Sequence, residues 1–158
     1  MNLISKIYYL NNTYAPINII YNLAIGKFNK KSINQNYSSK QKDFREIMSS
    51  LDLSGDWFTN NIPYWLWVFN KYKLKNDKVN VLEIGSWEGL SSYFILNELP
   101  NARLTCVDTW EGADEHKSGD ATTQGVLSNI ESSFDSNMAI FKDRVTKYKG
   151  TSYSFFND

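Results

Sequence analysis

Residues 79–108 read VNVLEIGSWEGLSSYFILNELPNARLTCVD, and three kinds of local signal follow one another in them. Val79, Val81, Leu82 and Ile84 form an apolar run too short for a helix and rich in β-branched side chains, which predicts a strand buried on both faces of a parallel sheet. Gly85 ends the run. The turn Gly85-Ser86-Trp87-Glu88-Gly89 can bend sharply and approach a ligand closely, because glycine has no Cβ to forbid positive φ. Leu90 to Leu99 then reads as a helix with Leu90, Tyr93 and Phe94 on one face, and Pro100 stops it near Glu98. Leu104, Cys106 and Val107 make a second apolar run ending on Asp108. The unit is strand, crossover helix, strand, with an acid at the carboxyl edge, where open α/β sheets bind ligands.

Working outward, 158 residues that are 42% hydrophobic and 22% charged suit one globular core rather than two large domains. Lys+Arg and Asp+Glu balance at 17 each, so no whole-chain basic field supports a nucleic-acid partner. The one cysteine, Cys106, lies in a strand and allows no disulfide framework, which reads as a reduced, cytoplasmic protein. No stretch approaches the roughly 20 apolar residues of a membrane span, and the opening residues, broken by Asn11, Asn12, Pro16 and Asn18, do not form a signal peptide.

Residues 1–28 read as two short apolar pieces separated around Pro16. Residues 29–40, NKKSINQNYSSK, are polar and aperiodic and predict a flexible connector. This divides the chain into a helical arm and linker, 1–40, and a main domain, 41–158. In the latter, Phe44, Ile47, Met48 and Leu51 mark a short helix. A second starts at Asn61 with Pro63 in its first turn and the stripe Ile62, Trp65, Leu66, Phe69. An aromatic between Trp57 and Tyr64 is a candidate lid over the ligand edge. After Asp108 a polar loop carries the one histidine, His116; a helical pattern with Val126, Leu127, Ile130 and Phe134 follows, and Val145 to Lys149 predicts a third strand.

The glycine turn lacks the middle glycine of G-x-G-x-x-G, which disfavours NAD, and no Walker-type phosphate loop is present. Leu82-Glu83-Ile84-Gly85-Ser86-Trp87-Glu88-Gly89, with Asp108 ending the next strand, resembles the first two motifs of class I S-adenosylmethionine-dependent methyltransferases. Trp57 to Pro63, Glu88 to Ser91 and Asp108-Thr109-Trp110-Glu111-Gly112 are similar to a subgroup of small-molecule or sugar O-methyltransferase-like proteins. The resemblance covers about residues 55–158 and implies an α/β fold, a Rossmann-like parallel sheet with a helical N-terminal extension.

For the site, the resemblance implies that Glu83 holds the amino group of S-adenosylmethionine, that Gly85, Ser86, Trp87, Glu88 and Gly89 pass under its methionine and ribose portions with Ser91 beside them, and that Asp108 accepts the ribose hydroxyls. An ionised carboxylate is acceptor-only with two oxygens, which suits a vicinal diol. Thr109 and Trp110 would border the adenine, and Thr151 and Ser152 stand where the class often contacts the adenine amine. The acceptor would be a small molecule, no catalytic residue is implied, and a divalent metal, though possible in the class, finds no ligand set in this chain. The resemblance also places the strand at Val79 mid-sheet, beside a fourth strand that would follow Asp158. The chain is therefore expected to be incomplete at its C-terminus, with an open sheet edge able to drive homo-oligomers. The rival expectations are a non-catalytic nucleoside-binding module and a different Rossmann-like nucleotide binder.

Overall fold

The computed structural model describes residues 16–112 and 128–157. His116, Val126, Leu127 and the arm up to residue 15 lie outside the described residues. Among the described residues five helices and three strands run in the order α1 (Pro16–Met48), α2 (Ile62–Lys71), β1 (Asn80–Ile84), α3 (Leu90–Glu98), β2 (Arg103–Asp108), α4 (Ile130–Met138), β3 (Val145–Lys149) and α5 (Ser152–Asn157), with short 3₁₀ turns at Thr59–Asn61, Leu74–Asn76 and Ala139–Phe141. The strands form one parallel sheet in the order β1-β2-β3. This is the α/β arrangement expected, with β1 at an edge among the described residues.

The first difference from expectation is α1. It runs unbroken through residues 29–40, so the flexible connector is helical and no break marks residue 40. Pro16 begins the helix, as suits a residue with no N–H to leave unpaired in the first turn, and the piece expected before it lies outside the described residues. Periodicity over the short polar window was hidden because its apolar residues belong to a longer seam. Ile33, Tyr37, Phe44, Ile47 and Met48 fall on one side of α1, and all five pack in the interior, Ile33 and Phe44 fully buried. The Tyr37 hydroxyl accepts a hydrogen bond from Asn70 Nδ2 of α2 at 2.8 Å, which joins the two helices.

The core centres on Phe94 of α3. Its ring meets Phe44 edge-on at 5.1 Å, Phe58 at 5.2 Å and Phe69 stacked at 6.0 Å, so α1, the 53–58 segment and α2 all converge on one side chain. Helix α3 covers one sheet face together with α4, and Arg144 closes its C-terminal end by donating to the carbonyls of Leu96, Leu99 and Pro100, each at 3.0 Å.

The second difference is β1. Its expected burial on both faces does not occur: Leu82 is 43% and Ile84 53% exposed. In register, Ile84, Val107 and Tyr148 lie side by side, and Phe155 of α5 packs on Tyr148 at 5.1 Å. Helix α5 thus accompanies burial of Val107 but leaves the β1 positions of the same face bare among the described residues. No helix among the described residues is long and apolar enough to cross a membrane.

Phe94→Ala is expected to lower stability by about 3–5 kcal/mol, the usual range for an aromatic truncated in a core. Urea unfolding followed by circular dichroism reads this, and a loss under about 1 kcal/mol would show that the helices converge on something other than this ring.

Candidate functional site

The carboxyl edge is built around Asp108, the last residue of β2. Its Oδ2 accepts the backbone N–H of Trp87 and its Oδ1 that of Trp110, both at 2.8 Å. Each tryptophan has positive φ, 50° at Trp87 and 53° at Trp110, a conformation costing an L-residue roughly 1–2 kcal/mol. One carboxylate therefore holds two strained turns. The Trp110 indole N–H donates in addition to the Trp87 carbonyl at 2.9 Å, and Gly150 N–H donates to the Asp108 carbonyl at 2.8 Å. The turns after all three strands are joined at this point.

Between Trp87 and its neighbours the glycines divide the work. Gly85 and Gly89 both have φ of 83°. A Cβ on Gly89 would come within 3.1 Å of the Phe134 ring and 3.2 Å of the Met138 methyl, so this glycine allows α3 to seat against α4. A Cβ on Gly85 would meet nothing within 4 Å: the space above it is open. That space belongs to a cavity of about 220 Å³ lined by Gly85, Ser86, Trp87, Glu88 and Ser91 of the turn and by Leu53, Gly55, Trp57, Phe58 and Leu90.

The wall formed by 53–58 was only partly foreseen, through the candidate lid. Trp57, 67% exposed, stands edge-on to Trp87 at 6.0 Å; Tyr64 does not line the cavity. Three polar side chains that sequence reasoning did not single out for the site pin the segment. Asn137 of α4 accepts from Asp52 N–H at 2.9 Å and donates to the carbonyls of Asp52 (2.9 Å) and Glu88 (2.8 Å). Ser133 donates to the Asp52 carboxylate at 2.5 Å. Asp56 accepts the N–H groups of Phe58 and Thr59 and the Thr59 hydroxyl, starting the 3₁₀ turn; this D-x-x-T cap was the one available sequence signal. Burial works against its charge, but the Thr59 hydroxyl, those two N–H groups and nearby Arg45 outweigh it and hold Asp56 below the ordinary carboxylate value.

The other expected site residues divide into those facing the cavity and those committed elsewhere. Glu83 accepts the hydroxyls of Ser91 (2.6 Å) and Ser92, so both its oxygens are engaged at the first turn of α3. Glu88, 4% exposed, accepts the Ser54 N–H at 2.8 Å and fastens the 53–58 wall to the turn. Trp110, expected to border the adenine, has its ring 4% exposed, packed on Phe134 at 4.9 Å with the Lys147 ammonium 4.7 Å from its centre. The indole N–H bond and the Asp108 clamp turn it into the core. Thr109 Oγ1 accepts the Glu111 N–H at 3.3 Å. Thr151 Oγ1 accepts the Ser154 N–H at 3.0 Å, capping α5, while Ser152 is exposed. Neither Thr151 nor Ser152 lines the cavity, though Gly150 tethers their loop to Asp108.

Ser86 stands apart. Its hydroxyl is buried in the cavity wall against the Cys106 thiol, a weak partner, and makes no stronger hydrogen bond. Cys106 itself is core: burial pushes its thiol up to about 11, which leaves it protonated and unreactive. Among the described residues no group of three or more His, Cys, Asp or Glu side chains could hold a metal ion. Searches of protein-family models, curated proteins and solved structures find no match to this chain.

Two outcomes are expected here. Asn137→Ala removes three hydrogen bonds and strands buried groups, and should cost about 2–4 kcal/mol in urea unfolding; a value near zero would free the 53–58 wall from α4. For Asp56 the folded value lies below the unfolded one, so its contribution is present above the unfolded value of 3.8 and is lost as pH falls through the folded value. The stability gap between the native chain and Asp56→Asn should therefore be constant near neutrality and close in acid. A gap unchanged down to about pH 2 would contradict the cap.

Proposed function

We propose that the chain binds S-adenosylmethionine at the carboxyl edge of its sheet and serves methyl transfer to a small-molecule or sugar-like acceptor. The observation that carries this reading is the cavity over Gly85, whose space is open, with the buried Ser86 hydroxyl in its wall held only by the weak Cys106 thiol. A thiol is a poor partner for a buried hydroxyl, and a ligand polar group entering the cavity would satisfy it better.

The remaining groups fit the same ligand. The faces of Trp57, Trp87 and Phe58 suit an aliphatic arm and attract a sulfonium cation. At about 220 Å³ the cavity is smaller than the roughly 300–1,000 Å³ of most small-molecule sites. It would take the methionine arm, with the nucleoside lying along the open edge. Each Asp108 oxygen that accepts one N–H keeps a second lone pair, which is what a ribose diol needs. When bound, the cofactor supplies an electrophilic methyl open to in-line displacement by an acceptor oxygen or nitrogen. The chain's own part is to hold the methyl donor and exclude water, and positioning alone can remove much of a barrier.

A second reading, a non-catalytic nucleoside-binding module, is favoured by the commitment of both nearby carboxylates, Glu83 to two serines and Glu88 to Ser54. A methyl-release assay over a panel of acceptors separates the two.

Calorimetric titration with S-adenosylhomocysteine and with NAD should show binding of the first alone; the reverse order would reject the cofactor assignment. Ser86→Ala should weaken S-adenosylhomocysteine by about 1 kcal/mol while moving the urea midpoint little, because in the free chain the hydroxyl has only the weak Cys106 thiol as partner. Asp108→Ala should weaken it by about 1.5–3 kcal/mol, and Gly85→Val should abolish binding. Full affinity in all three folded variants would place the ligand elsewhere.

A further inference from the structure

At the opposite end of the sheet, where the chain enters β1, β2 and β3, lies a groove of about 440 Å³. Its polar side chains are Lys78, Asn80, Asn101, Arg103 and Arg144: three cations, two amides and no carboxylate. In a chain whose charges balance at 17 and 17, that lining is one-sided. The neighbouring acids Asp77 and Asp143 do not line it.

The three cations are held differently. Arg144 is fixed, donating through Nη1 and Nη2 to carbonyls at the end of α3 and lying 5.0 Å over the Phe141 ring. A guanidinium has five N–H donors, and these bonds engage only its two Nη groups. Lys78 and Arg103 are exposed, and no side-chain hydrogen bond or ion pair joins either to another of the described residues. By contrast Lys147 and Lys149, on the neighbouring strand, are neutralised by Glu131 and Asp135. Positive charge is thus left uncompensated at the amino end of the sheet while it is paired beside the carboxyl edge.

We propose that this groove is a second binding site, for an oligophosphate group, separate from the carboxyl-edge site. Its components recognise an anion by charge and by donors alone: a fixed guanidinium, two exposed cations and the side-chain amides of Asn80 and Asn101, the latter also donating to the Asn76 carbonyl at 3.4 Å. A single small anion would meet only one or two of these donors. A pyrophosphate, with several charged oxygens, can meet a guanidinium and an ammonium together, and charge-assisted bonds of this kind are about twice as strong as neutral ones. The source is either a free oligophosphate or the phosphate tail of a nucleotide.

The test is calorimetric titration of the full chain with pyrophosphate at low ionic strength, with ADP in a parallel arm. Pyrophosphate should bind, more weakly as salt rises. Lys78→Gln and Arg103→Gln should each weaken it about tenfold, and the pair should abolish it. Both side chains are exposed, so the urea midpoint should not move. S-adenosylhomocysteine titrations should be the same in native chain and variants, which keeps this proposal independent of the other site. Equal affinities for ADP and pyrophosphate would assign recognition to the phosphates alone, whereas tighter ADP binding that still falls in the variants would assign the site to a nucleotide tail. No binding of pyrophosphate, or binding indifferent to both substitutions, would overturn the proposal.

Discussion

The carboxylate of Asp108 is the constraint on which the functional edge depends. Two tryptophans in left-handed conformation would each relax to ordinary backbone if left alone. Charge-assisted hydrogen bonds from one acid hold both, and the same residue's carbonyl takes the amide of Gly150. The acid therefore serves the fold before any ligand arrives. Its place at the end of the central strand makes this possible, since there one residue meets the turn after β1 with its side chain and the turn after β3 with its carbonyl.

A second layer of constraint comes from α4. Asn137 and Ser133 reach across more than eighty residues of chain to Asp52, and Asn137 also takes the Glu88 carbonyl. The cavity wall at 53–58 is consequently attached both to the turn beneath it and to the helix beside it. The two ends of the sheet then differ in chemistry. The carboxyl edge carries aromatic faces, an acid and a buried, weakly held hydroxyl, whereas the amino end carries donors and positive charge.

Much of the architecture could be read from residue order. Strand β3 was legible at Val145–Lys149, and α3 was bounded by Gly89 and Pro100 because glycine permits the left-handed turn and proline prevents continuation. The polar window 29–40 misled because its apolar residues are sparse, and only the partner surface of α2 shows that Ile33 and Tyr37 continue the seam of Phe44. The apolar run of β1 misled in the opposite sense. A run of Val, Leu and Ile records what a strand can bury, and burial of Leu82 and Ile84 depends on whether another element lies over them.

For the site, the residue order by itself determined the turn Gly85–Gly89, the acid after β2 and the strand-helix-strand path that brings them to one edge. These follow from short-range sterics and periodicity, which act within a few residues. What tertiary structure alone decided is how each polar or aromatic side chain is spent. The Trp110 ring goes to the core, Glu83 to two serines, Glu88 to Ser54, and Ser86 to the weak Cys106 thiol. The physical reason is that a hydrogen bond or ring contact is fixed by separations of a few ångströms between groups far apart in sequence. Asp52 and Asn137 show this most plainly: nothing in either residue's neighbourhood along the chain marks it, and together they fasten the wall of the cavity.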